Sequence, residues 1–308
     1  MRAEFAHAMV NLAERDERVV LLTGDLGFTV LEPFAERHPE RFYNVGVAEQ
    51  NMVGLATGLA EAGLVPFVYS IATFASLRPY EFIRNGPALH ELPVRIVGVG
   101  GGLDYGHNGV THYALEDVGV LRVQPSLTVL APADPDQALG ALAATEDVHT
   151  PVYFRLGKEA KPVVGLDGRF ALGRAETIGD GEDVAIVALG TMASEAVEAA
   201  RLLAERDVAA TVVVVASVSP APVEDLLDVL GRVRLAVTVE AHYPIGGVGS
   251  LVCEVVAEHA LDCRVVRRGV DRMPRGVTGT QRYLYDVFGL SAPQLADSVV
   301  EALEPVRR

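Results

Sequence analysis

The stretch NVGVAEQNMVGLATG, Asn44–Gly58, lies where a short extended run gives way to a helical pattern. Glu49 falls at that strand-to-helix transition, where open α/β sheets place their ligands. Small residues follow at Gly54, Ala56, Gly58 and Ala60, and they permit close approach of another helix. Taken alone, Glu49 admits two readings. It is a ligand-facing carboxylate, or it is a first-turn acid favoured by the helix dipole.

The same alternation repeats on both sides of this stretch. β-Branched runs predict strands at Val19–Thr23, Val65–Ser70, Val94–Gly100, Thr128–Leu130 and Val152–Arg155, with helices at Ala3–Arg15, Ala48–Ala62, Tyr80–Glu91 and Pro135–Glu146. Strand–helix alternation is the mark of a parallel α/β sheet, and continuous apolar strands suit burial on both faces. Gly157–Asp183 is richer in Gly, Pro and charge and reads as connecting chain. A second α/β series follows, with strands at Val184–Leu189, Thr211–Ala216, Leu235–Glu240 and Arg264–Arg268 and a last helix near Ala292–Leu303. The expected organisation is two domains, each a mostly parallel sheet flanked by helices, over residues 1–165 and 183–308, with a linker at 166–182.

The chain has 308 residues, enough for two such cores. Its formal net charge of −15 argues against sequence-independent binding to nucleic acid or an anionic membrane, which needs a basic face. Cys253 and Cys263 form no CxxC or Cys/His cluster, so neither a disulfide framework nor a zinc site is expected. The first twenty residues are charged throughout, unlike a signal peptide, and no apolar run approaches the ~20 residues of a bilayer span. The expected location is the cytoplasm.

Two further stretches carry chemistry. GHNGVTHYALED, Gly106–Asp117, is a glycine-rich loop with two histidines after a buried strand. Histidine titrates near neutral pH and suits proton transfer; a solvated loop with incidental histidines is the alternative. In PVYFRLG, Pro151–Gly157, Arg155 ends a buried strand. It suits bidentate contact with a phosphate or, equally, a structural ion pair. Gly179-Asp-Gly181 resembles the start of a GDG…NN metal and diphosphate motif, but no Asn follows Asn108 anywhere in the chain. Gly246–Gly249 lacks the GxGxxG spacing of a dinucleotide site.

The motifs in order resemble the transketolase family, specifically its C-terminal half as found in split, two-subunit members. The resemblance rests on GDL at Gly24–Leu26, NVGVAEQNMVGLATGLA from Asn44, TFASLRPYEFIRN at Thr73–Asn85, GVTHYALEDVGVLR at Gly109–Arg122, LTVLAPADP at Leu127–Pro135 and VTVEAHYPIGGVGS at Val237–Ser250. It implies a first domain that binds the aminopyrimidine of thiamine diphosphate. Glu49 matches the glutamate that hydrogen-bonds the pyrimidine N1′ and helps activate the cofactor. A desolvated, mostly apolar pocket is expected to keep its proton in place for that bond. Phe74 and Tyr80 match aromatics that wall the pyrimidine, Leu77 stands where a third aromatic is common, and Asp25 matches an acid near the cofactor.

The resemblance also implies substrate contacts. His112 matches the histidine of the family's G-x-T-H motif, near the reacting carbons of the donor sugar. Arg2 and Arg155 match two arginines that hold a sugar phosphate, and Thr29 is expected among the substrate-binding residues. Asn108 replaces a common aspartate, and a histidine that usually precedes the motif gives way to Gly100 or a neighbour, with His107 close by. These departures point to a modified, amino- or deoxy-sugar. The expected activity is ketol transfer from a ketose phosphate to an aldose. No metal ligands are expected on this chain, since Mg²⁺ (or Ca²⁺) and the diphosphate belong to a domain with GDG…NN. A partner subunit would supply that domain, in an α₂β₂ assembly. Alternatives are a 2-oxo-acid dehydrogenase beta subunit, a deoxyxylulose-phosphate-synthase-like activity, and a non-catalytic scaffold subunit. His242, Tyr243 and the two cysteines are read as structural.

Overall fold

Valine- and leucine-rich runs form the buried strands of two sheets in the computed structural model, which describes residues 1–158 and 161–304. Residues 159–160, in the expected first domain, and 305–308, at the end of the expected second, lie outside the described residues. The first sheet is built from β1 (Val19–Thr23), β2 (Phe42–Asn44), β3 (Val65–Ile71), β4 (Arg95–Val99), β5 (Thr128–Leu130) and β6 (Val152–Leu156). β1, β3, β4, β5 and β6 are buried at every position, as helices on both faces of a parallel sheet require. The second sheet contains β7 (Glu176–Ile178), β8 (Val184–Leu189), β9 (Ala210–Val215), β11 (Leu235–Val239) and β12 (Arg264–Arg268), in the order β12-β11-β8-β9-β7.

The strand missing from that series, β10 (Ser217–Ser219), crosses over. It pairs antiparallel with β5 at the edge of the first sheet, whose order is β10-β5-β6-β4-β3-β1-β2. A single apolar cluster runs from Leu22 and Val68 through Val129 to Val187 and Val213. The two sheets therefore share core, and each stabilises the other.

Helix Arg2–Arg15 buries Phe5, Met9, Leu12 and Ala13, apolar residues at helical spacing. The Phe5 ring lies 5.2 Å from that of Phe154 on β6. Removing such a fully enclosed ring costs about 3–5 kcal/mol. Helix Glu49–Glu61 buries Met52, Val53, Ala56 and Ala60 against the sheet. Of the small residues flagged in the sequence, only Gly54 and Gly58 remain on its exposed side.

Two expectations need correction. The stretch read as connecting chain contains β7, which pairs antiparallel with β9 at the edge of the second sheet. The single helix expected over Tyr80–Glu91 is a short helix, Tyr80–Ile83, followed by a π-turn over Arg84–Ala88 with non-helical Gly86. Pro87 causes the break, since it has no N–H for the preceding turn. The sequence reading also passed over helices Glu32–Arg37 and Gln281–Val287.

Candidate active site

The residues singled out from the sequence lie in the connections that follow the carboxyl ends of the parallel strands, the ligand-binding edge of such sheets, except for Arg2 on the first helix and Arg155, which is still within β6. The loop after β1 carries Asp25 and Thr29 in left-handed backbone conformations, φ 59° and 67°, which cost energy for residues with a side chain. Asn44, ending β2, ties this loop down. Its Nδ2 donates to Asp25 Oδ1 at 2.9 Å, and its Oδ1 accepts from the Asp25 and Gly46 N–H groups at 3.1 and 3.0 Å.

Glu49 opens helix Glu49–Glu61 and is 2% exposed. Ser70, near the end of β3, donates its hydroxyl to Oε1 at 3.0 Å, and Arg78 Nη1 donates to Oε2 at 2.8 Å. Both carboxylate oxygens thus have a partner. The Arg78 guanidinium also lies over the Phe74 ring, 3.8 Å from its centroid, a cation–π contact. The apolar pocket expected around Glu49 is therefore corrected: in this structure an arginine closes it.

Phe74 also meets the edge of the His112 ring, at 5.2 Å between centroids. Thr111 Oγ1 lies 3.0 Å from His112 Nδ1, which leaves Nε2 as the ring nitrogen without a hydrogen bond among the described residues. The second half of the chain braces this loop. The Tyr113 hydroxyl is 2.8 Å from Gly106 O and 2.9 Å from Val277 O, and Gly279 N–H donates to Gly106 O. His107 and Asn108 stand exposed on the loop.

Tyr105 gathers basic groups that the sequence reading did not connect. Its ring is 6.2 Å from that of His112 and 5.2 Å from Lys158 Nζ. Burial raises the Tyr105 and Tyr69 phenol pKa values, while the nearby Arg2 charge pulls both down. Lys158 and His112 thus meet one ring, whose phenol also feels the Arg2 charge. Tyr80 is turned to a different partner, its hydroxyl accepting from Gln124 Nε2 at 2.6 Å. Leu77 is 39% exposed.

Arg155 stands apart from this group. Its Nε donates to Asp117 Oδ2 at 2.8 Å, and its Nη2 donates to Ala114 O and Ala241 O. With 4% of the side chain exposed, it is the structural ion pair that the residues alone left open. The phosphate contact expected of it does not suit this geometry.

Two family matches divide the chain: the transketolase pyrimidine-binding domain over residues 1–163 and the transketolase C-terminal domain over residues 173–295. The chain belongs to the transketolase family. An apulose-4-phosphate transketolase subunit of Phocaeicola vulgatus is 32% identical over 303 residues, 97% of this chain and 96% of its own. The 6-deoxy-6-sulfo-D-fructose transketolase subunit SqwH of Clostridium sp. is 35% identical over 309 residues, 99% of this chain and 94% of its own. A solved split gene transketolase, described as an inactive beta4 tetramer, superposes with a TM-score of 0.89 at 37% identity, covering 98% of this chain and 97% of that one.

In transketolase terms, Glu49, Phe74, Asp25 and His112 all lie within the matched pyrimidine-binding domain. The contacts around Glu49 test whether this pocket fits a pyrimidine. A planar guanidinium already stacks on Phe74 and bonds Glu49, so the site accepts a flat, hydrogen-bonding group in that place. Among the described residues, no group of three or more His, Cys, Asp or Glu side chains is set to hold a metal ion. No helix among them is long and apolar enough to cross a membrane. The sequence reading missed Ser70, Arg78, Tyr105 and Lys158. Arg78 and Lys158 each stand one to three residues from a residue it did name, in TFASLRPY and FRLGK.

Proposed function

We propose that this chain is the pyrimidine-binding subunit of a two-subunit transketolase that moves a two-carbon ketol unit from a ketose to an aldose. The observation that carries the reading is Glu49, a buried carboxylate at a helix N-terminus, linked through Arg78 to the Phe74 ring that His112 meets. Bound thiamine diphosphate supplies the carbon nucleophile and the electron sink. Glu49 would share a proton with the pyrimidine N1′, held in line by Ser70. Phe74 would stack on the pyrimidine, with Leu77 and Tyr80 along the same segment and Asp25 on the adjoining loop.

His112 would hold or move a proton at the donor's reacting carbons through Nε2. His107 and Asn108 would meet the sugar hydroxyls. Arg2, Thr29 and Lys158 would hold an anionic end group, which positions the reacting carbonyl. Lys158 replaces Arg155 in that role because Arg155 is committed to Asp117. A sugar with a modified carbon chain and a phosphate or sulfonate end fits the exposed, uncharged Asn108, and the names of both relatives specify sugars of that general kind.

A partner chain carrying GDG…NN would supply the diphosphate and Mg²⁺ ligands, in an α₂β₂ complex in the cytoplasm. The test is co-expression of the two chains, followed by a ketol-transfer assay with thiamine diphosphate, Mg²⁺, a ketose phosphate and an aldose. Transfer only when both chains and the cofactor are present, lost in Glu49→Ala, supports the reading. Transfer that persists in Glu49→Ala contradicts it and favours a scaffold role.

A further inference from the structure

The Arg78 guanidinium makes the two contacts that the proposed function assigns to the aminopyrimidine. It lies 3.8 Å over the centroid of Phe74 and donates to Glu49 Oε2 at 2.8 Å. Oε1 accepts from Ser70 at 3.0 Å, and while Arg78 stays its guanidinium fills the place over Phe74 and beside Oε2 that a ring would take. Helix Ala72–Leu77 ends just before Arg78, and the side chain reaches back from there to both partners. It is not walled in: 41% of it is exposed, against 1% of Glu49. A rotation about its own bonds would carry the guanidinium into solvent without moving the backbone. Of two groups in one ion pair, the buried one is fixed and the exposed one is able to leave.

We infer that Arg78 is an internal placeholder for the cofactor's pyrimidine, and that loading requires it to swing out of the pocket. This rests on the thiamine reading of the site. A placeholder of this kind does two things. It keeps the buried Glu49 carboxylate paired in the empty subunit, where an unpaired buried charge is costly. It also lowers the apparent affinity for the cofactor by the fraction of molecules in which it is seated, about tenfold for a lock populated to about 90%. The pocket is therefore closed until partner and cofactor together displace the arginine.

The test measures thiamine diphosphate binding, with Mg²⁺, to the complex of this chain with its diphosphate-binding partner. Titration calorimetry compares wild type with Arg78→Leu and Arg78→Gln, and melting temperatures of each chain establish that all are folded. The expected result is a dissociation constant about tenfold lower in both variants. Equal constants, or weaker binding in the variants, overturn the placeholder and make Arg78 a bystander or a cofactor contact. Absence of binding by all three complexes brings down the thiamine reading and the placeholder with it, so the two failures are distinct.

Discussion

Arg155 and Asp117 form an ion pair 2.8 Å long beneath the site, with side chains 4% and 0% exposed. Tyr153 donates its hydroxyl to the same carboxylate oxygen at 2.7 Å, and Arg155 continues to Ala241 O in the second half of the chain. The pair thus joins β6, the histidine loop and the C-terminal domain.

Breaking this pair should destabilise the chain severely. Asp117→Ala leaves a buried guanidinium with only carbonyl partners, a loss of about 3–5 kcal/mol. The double change Asp117→Leu with Arg155→Met should lose less than Asp117→Ala alone, because no charge remains buried. Urea denaturation of the three proteins measures this. Full stability in Arg155→Met, combined with a raised KM for phosphorylated donors only, would return Arg155 to the substrate site.

Arg2 and Lys158 should act on substrate affinity rather than on the chemistry. Replacing either with Met removes one charge-assisted contact to an anionic end group, a loss of about 1.5–3 kcal/mol. KM for a phosphorylated or sulfonated donor should then rise about 10- to 100-fold with kcat little changed, and an uncharged donor should be unaffected. Steady-state kinetics on both donor types decides it. An equal effect on charged and uncharged donors would assign these residues to folding.

Much of this was legible in the sequence, and its failures have physical causes. Alternating apolar runs and helical patterns located the buried strands, because burial on both faces leaves a continuous hydrophobic signature. β2, β7 and β10 are edge strands with partly exposed positions, so they show none. Glu49 and His112 were singled out because they follow strand ends in stretches that carry glycines. Arg155 was placed at the right edge of the sheet, but its fate depends on Asp117, 38 residues away, and no local pattern reports that pairing. Arg78 escaped because its role comes from a rotamer, and rotamers are not written in spacing.

Stability should carry a pH signature from Glu240. This carboxyl is fully buried; burial pushes it up to about 7 from 4.5, against opposing bonds from the Gly249 and Val248 N–H groups and the charges of Arg155 and Arg267. The folded state therefore holds the proton more tightly than the unfolded chain. The stability this contributes is complete below pH 4.5 and is lost as pH rises through about 7. Neighbouring His242 is lowered by burial, so its contribution runs the opposite way: it is present above the ordinary histidine range and lost as pH falls. The two offset each other in the wild type. Glu240→Gln removes one of them, and its stability relative to wild type should rise between pH 4.5 and 7 by an amount on the order of 3 kcal/mol. Denaturant titrations at a series of pH values measure the difference, and a constant offset would contradict the assignment.

The most direct test of the central claim is hydrogen–deuterium exchange at the thiazolium C2 of cofactor bound to the two-chain complex, followed by quenched-flow NMR. Exchange is read before any sugar is added, so the result does not depend on the donor chosen. If Glu49 activates the cofactor, exchange in the wild-type complex should be fast, and Glu49→Gln should slow it about 10²- to 10⁴-fold while the cofactor stays bound. Unchanged exchange in a fully loaded Glu49→Gln complex would contradict the claim that this chain supplies the activating carboxylate.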